Sequence, residues 1–151
     1  MSALAATIAF PLALLAACLV RPLRDRMSYL LPLAPLPGLW CARLGAEQVP
    51  VVIGAGPAQL VLALDRPGEI LLLVASVLWS IAALYAVRYM RDEPKRDRFA
   101  VSWLMGVAGC LGAFVAADMA TLYLCLALLT LGACGLVFHD ETTTAKRAAS
   151  I

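Results

Sequence analysis

The sequence predicts an all-α integral membrane protein with about five transmembrane helices, its N-terminus outside and its C-terminus inside. Three observations carry that reading. Apolar residues make up 63% of the 151 and the mean hydropathy is +0.88, whereas a soluble domain is apolar over about half of its residues. Charges are missing from five stretches, Met1 to Val20, Met27 to Ala42, Ile70 to Val87, Phe99 to Ala117 and Met119 to Phe138, and about 20 helical residues cross a bilayer core. If those stretches alternate in direction, one side collects Arg21, Arg24, Arg26, Arg88, Arg91, Lys95, Arg96, Arg98, Lys146 and Arg147. The other side has only Arg43 and Arg66. Short loops rich in Lys and Arg stay cytoplasmic, which fixes the orientation.

Taken in order, the spans cover about 3–20, 27–43, 68–88, 99–117 and 119–138 of a single membrane domain, 1–151, with an outer loop over about 45–66. The first span contains Pro11 and the second contains Pro32, Pro35 and Pro37. Each proline removes a backbone donor and kinks a helix unless neighbours cover the freed carbonyl, so the second span is the weakest helix. In the outer loop, VPVVI and AQLVLAL are β-prone or alternating and are separated by the turn-forming GAGP, which predicts a short surface hairpin. The fourth and fifth spans place small residues at helical spacing: Gly109 with Ala113, Gly112 with Ala116, and Gly132 with Gly135. In lipid, close packing drives helix association, so these faces are expected to meet partner helices on a neighbouring subunit.

The stretch VPVVIGAGPAQLVLALD also invites a second reading, as the phosphate-binding turn of a dinucleotide enzyme at Gly54 and Gly56. That fingerprint needs a third glycine, a full helix and an acid about 20 residues on. Gln59 stands in the third-glycine place, and Asp65, Arg66 and Pro67 interrupt the helix within two turns. A turn between two strands accounts for the glycines better.

Other chemistry is sparse. Cys18, Cys41, Cys110, Cys125 and Cys134 all lie in the proposed spans without a Cys-x-x-Cys pair, and the one histidine, His139, cannot complete a metal set; they read as small packing residues. Leu15-Ala16-Ala17-Cys18 resembles a lipoprotein cleavage box, but no Lys or Arg precedes it, and a signal peptide's first region needs one. The net charge of +2 is small and its basic residues are dispersed, so nucleic acid is not an expected partner. No cofactor or metal is expected either. Glu69 and Asp118 at span ends, and His139 at the end of the fifth, are the ionisable candidates for an ion pathway, though hydrated helix ends explain each of them.

From about Gln59 to Ala149 the residues resemble a family. The signals are Asp65 opening the third span, Tyr85 and Tyr89 at its end, Arg98-Phe99 opening the fourth, Ala117-Asp118 in the tight outer turn, and Tyr123 in the fifth. Together they resemble the N-terminal region of the antiporter-like membrane subunits shared by proton-pumping NADH-quinone oxidoreductase (complex I), Mrp-type cation/proton antiporters and membrane-bound hydrogenases. The resemblance implies a multi-pass subunit of a larger complex in the inner membrane of a prokaryote or an equivalent energy-transducing membrane, with other membrane subunits and the lipid bilayer as its partners. In that family the fifth helix carries a mid-membrane glutamate, which pairs with a lysine on a later helix to gate proton movement. Here the corresponding stretch is LCLALL and the position is Ala127, and Ile151 falls about where the family's sixth helix would start. A buried ionisable residue costs about 2.5 to 3.5 kcal/mol on insertion scales and is usually functional where it occurs. Its absence leads to the expectation of a non-conducting structural or assembly subunit of a redox-driven, proton- or cation-translocating complex. Two alternatives stand beside it: one part of a split proton or cation/proton antiporter, and a membrane enzyme with the Gly54-Gly56 site.

Overall fold

The computed structural model describes residues 3–18, 30–45, 49–54, 59–90 and 96–139, with the side chains of Arg96, Phe138 and His139 outside the description. The order of elements is helix α1 (Ala3–Cys18), a 3-10 turn (Leu31–Leu33), helix α2 (Leu36–Leu44), strands β1 (Val51–Ile53) and β2 (Leu60–Leu62), and helices α3 (Arg66–Tyr89), α4 (Arg96–Val115) and α5 (Met119–His139). Helices α3, α4 and α5 are long and apolar enough to cross a membrane; α1 is a shorter apolar helix.

Local chemistry sets the boundaries. The Asp65 side chain accepts a hydrogen bond of 2.8 Å from the Gly68 N–H and caps α3, Pro67 follows where no donor is needed, and Glu69 lies in the first turn. Arg88 lies in the last turn, so charges at both ends oppose the helix dipole. The second span expected over 27–43 needs correction. Its described part is a 3-10 turn followed by a helix of 9 residues, with Pro32 inside the turn, Pro35 as N-cap and Pro37 in the first turn. Three missing donors within six residues prevent a continuous ladder, and nine residues rise only about 14 Å, less than half a bilayer core.

Helix α4 is the centre of the bundle, with 56% of its span buried against 22% for α3 and 17% for α5. It packs on α1, α3 and α5, while α2 lies against α1 and α3. Leu104, Val107, Ala108, Leu111 and Val115 of α4 are fully buried, together with Leu4 of α1 and Leu72 of α3. The α2–α3 crossing is tight: a methyl group at Gly38 would meet the Ser76 hydroxyl and lie 3.2 Å from Leu111.

The expected hairpin is present. β1 and β2 pair antiparallel with Val51 opposite Leu62, Val52 opposite Val61 and Ile53 opposite Leu60, and Gly54 leaves β1 at φ 106°, a value that favours glycine. Gly56 lies outside the described residues. β2 also bonds to the turn between α4 and α5, with Ala63 N–H donating to Val115 O and Ala117 N–H to Val61 O, both at 2.9 Å. The hairpin is therefore fixed to one end of the bundle, and Arg88 and Arg98 mark the opposite, basic end.

Candidate functional site

At the hairpin end, Asp118 stands between α4 and α5 and does three things at once. Oδ2 accepts from Thr121 N–H at 3.0 Å, which caps α5, and Oδ1 accepts from the Thr121 hydroxyl in a short hydrogen bond. Oδ1 also accepts from Val61 N–H of β2 at 3.1 Å, a donor shared with Thr121 Oγ1 at 3.1 Å. The carboxylate thus ties the hairpin to the start of α5. The Thr121 hydroxyl, followed by the Thr121 N–H and the Val61 and Ala120 N–H groups, holds the Asp118 carboxyl below its ordinary value of 3.8, outweighing the opposing effect of burial. Thr121 is 1% exposed. Sequence reasoning missed it, although Asp-x-x-Thr at a helix start is a capping spacing that could have revealed it.

Glu69 is half-buried in the first turn of α3, where its carboxylate would lie 3.9 Å from a methyl group at Gly45, the residue that closes α2. A methyl group at Gly68 would lie 3.0 Å from the Phe114 carbonyl, so the start of α3 and the end of α4 meet at the hairpin end. Both acids therefore belong to that end. His139 closes α5 at the other end. Along α5, Asp118 and His139 are separated by about 30 Å of helix, and no Asp, Glu, Lys, Arg or His intervenes. Ala127 is half-buried in that interval.

The small residues meet one another. A methyl group at Gly109 would lie 2.5 Å from Leu129 N and 2.6 Å from Cys125 O, and one at Gly132 would lie 2.6 Å from Gly106 N and 2.8 Å from Ser102 O. Gly112 faces Cys125 Sγ and Ile8, and Gly135 faces Ser102. Ala113 is half-buried, and Ala116 makes the bridge to Leu62 of β2. The expectation that the glycines await a neighbouring subunit is corrected: α4 and α5 are each other's partners, with α1 covering Gly112. Helical spacing identifies a close-packing face but does not say which helix covers it.

Among the described residues, two buried polar atoms lack a hydrogen-bond partner, Ser76 Oγ and Trp103 Nε1. No group of three His, Cys, Asp or Glu residues converges among them to hold a metal. The dinucleotide alternative is also corrected. β1 runs into an antiparallel partner, whereas the fingerprint requires a strand that leads through its glycines into a helix. The described residues also form apolar grooves. One, of about 610 Å³, lies at α1 and the second segment and includes Phe10, Leu36, Trp40 and Arg43; another, of about 630 Å³, lies between α3 and the start of α4.

No sequence family and no curated protein matches the chain. Its fold is that of a chain in the structure of the membrane-bound sulfane sulfur reductase (MBS), an archaeal respiratory membrane complex, with a TM-score of 0.78 and 23% identity. The likeness covers 97% of the present chain and 32% of that one, so the present chain spans about a third of its structural neighbour.

Proposed function

We propose that this chain is a structural, non-conducting membrane subunit of a multisubunit redox-linked complex, related to the antiporter-like subunits and set in an energy-transducing membrane. The fold likeness carries the reading: nearly the whole chain superposes on part of a chain from a respiratory membrane complex. The sequence resemblance from Gln59 onward supports the same class. The non-conducting part rests on chemistry. Residues 70–87, 99–117 and 119–138 contain no ionisable Asp, Glu, Lys, Arg or His, and Asp118 and Asp65 at the hairpin end are engaged in holding backbone and helix starts. A proton has no station between the two ends of α5.

The second reading is one part of a split antiporter. One observation favours it: α5, which carries Ala127, has only 17% of its span buried, leaving a face for helices of another chain. An affinity-tagged chain purified in mild detergent tests both readings. Under the first it brings a fixed set of membrane subunits, and the assembled set gains no proton leak through this chain. Under the second, a partner helix with a mid-membrane lysine copurifies and flux appears only when both chains are present. Recovery of the chain alone at full yield would refute both.

A further inference from the structure

We infer that β1 pairs with β1 of a second copy of this chain, edge to edge and antiparallel, across a two-fold axis at Val52. The direction of the backbone groups carries the inference. Val61, which stands opposite Val52 in the hairpin, gives its N–H to Asp118 and Thr121 and receives the Ala117 N–H at its carbonyl. Both of its backbone groups therefore point away from β1. Val52 and Val61 form a non-hydrogen-bonded pair, and the pairs Val51 with Leu62 and Ile53 with Leu60 carry the bonds of the hairpin. Alternation along the strand then turns four groups of β1 outward: the carbonyls of Pro50 and Val52 and the N–H groups of Val52 and Gly54. None of the four has a hydrogen-bond partner among the described residues, and Val52 is 55% exposed. The far side of β2, by contrast, is bonded to the turn between α4 and α5.

An exposed strand edge without charge is a template for another strand, and residues 49–54 hold no Lys, Arg, Asp or Glu. The order of the outward groups selects the occupant. In an antiparallel pair centred on Val52, the Val52 N–H of each copy meets the Val52 carbonyl of the other, and the Gly54 N–H of each meets the Pro50 carbonyl of the other. Every outward donor and acceptor of both strands is then used. The donor that Pro50 lacks falls opposite Gly54, where a φ of 106° turns the chain out of the strand and its carbonyl is not required. A register shifted by two residues either way leaves one donor and one acceptor of each copy unmatched within residues 50–54. The edge is thus complementary to itself, as a two-fold contact requires.

The same geometry suits two copies in one membrane. Leu62 is 1% exposed and Val51, opposite it on the inner face of the hairpin, packs against the core, while Val52 lies on the other face. The two-fold of an antiparallel pair is perpendicular to the sheet, along the direction in which the hairpin looks into the bundle, so both copies keep one orientation in the bilayer. Across the contact Val51 faces Ile53 of the second copy, a β-branched pair of the kind that stabilises antiparallel sheets.

The test uses membranes that carry the full chain with its partner subunits. In the pair the two Val52 residues lie directly opposite each other, whereas the two Val49 residues lie six positions apart along the strands, about 20 Å. A bismaleimide shorter than half that distance should link two copies of Val52→Cys. It should give nothing above background with Val49→Cys, although Val49 is the more exposed at 81%; the unaltered chain, whose cysteines all lie in helices, sets the background. Two differently tagged copies should copurify in mild detergent. Val52→Pro, which removes an outward N–H that the hairpin itself does not use, should abolish that copurification, and Val52→Ala, which retains every backbone group, should preserve it. No link at position 52, or equal linking at 49 and 52, would overturn the proposal, the latter by marking random collision. So would linking of Val52→Cys only to a different chain, which would give the edge to another subunit, or copurification unchanged by Val52→Pro. Should Val52→Pro fail to accumulate, the contrast between positions 49 and 52 decides.

Discussion

Asp118 shows how a side chain can be placed at a helix start by the sequence while its distant partner stays hidden. Its position in the tight turn was legible, because an acid after Ala117 and before an apolar run is a helix start. Its bond to Val61 was not, since a contact across 57 residues leaves no local trace. The arrangement predicts that Thr121→Val, which removes a buried hydroxyl bonded to both Asp118 and Val61, destabilises the chain by about 1 to 2 kcal/mol, read as a lower unfolding midpoint in detergent. A pH effect follows with a definite sign. A carboxyl whose folded value is depressed stabilises the folded state fully above its ordinary value, here 3.8, and that contribution is lost as the pH falls through the lower folded value. Amide exchange at Val61 should therefore be insensitive to Asp118 protonation above pH 3.8 and should accelerate below it, whereas Asp118→Asn should be fast at every pH. An exchange rate that titrates near neutrality would contradict the latch.

Among the elements, the long uncharged spans were the easiest to read, because length and the absence of charge suffice. The second segment was harder. Its prolines warned of a weak helix, but proline count alone does not fix where the ladder breaks, and the observed break separates a 3-10 turn at Leu31–Leu33 from nine helical residues. The glycine seam was legible as a packing surface and illegible in its partner, for the reason that any helix with a smooth face can supply the other side. The backbone contacts allow a graded prediction. Gly109→Ala places a methyl group against Leu129 N and Cys125 O, which cannot yield without moving α5, while Gly106→Ala meets only the Trp79 ring at 3.3 Å. The first should cost about 1 to 3 kcal/mol and the second under about 1. Thermal unfolding of the two variants side by side checks this, and equal midpoints would show that the seam is looser than it is drawn. Gly109→Leu should open the α4–α5 pair of the chain itself, so that loss of insertion yield accompanies any loss from a complex.

At the scale of the whole molecule, the hairpin at one end and Arg88 and Arg98 at the other give the bundle a polarity. The charge rule places the hairpin end outside. A membrane-impermeant thiol label applied to intact cells should then reach a cysteine introduced at Val49, which is 81% exposed beside β1, and should not reach one introduced at Glu93. The opposite pattern would invert the topology. Purified chain in sealed vesicles should leave an imposed pH gradient at the decay rate of empty vesicles, and Ala127→Glu should not accelerate it, because one acid among uncharged spans makes no relay. Flux above background from either protein would end the non-conducting reading. The general architecture was legible because a bilayer allows few solutions to backbone bonding. The specific role was less so, since the proposed one resides in contacts with other chains.

The position of α1 has a consequence for assembly in time. Its first helical residues lie nearly a hundred positions before α4, yet α4 is the helix on which it chiefly packs. The α4–α5 pair, by contrast, closes across the few residues of the Asp118 turn. During synthesis the N-terminal helix must therefore wait in lipid, Thr7 satisfied by its own turn through Leu4 O at 2.6 Å, until most of the chain has emerged. Closure of so long a loop is the slow, non-local step. The early chain thus depends on this self-contained hydrogen bonding to persist without its final neighbour.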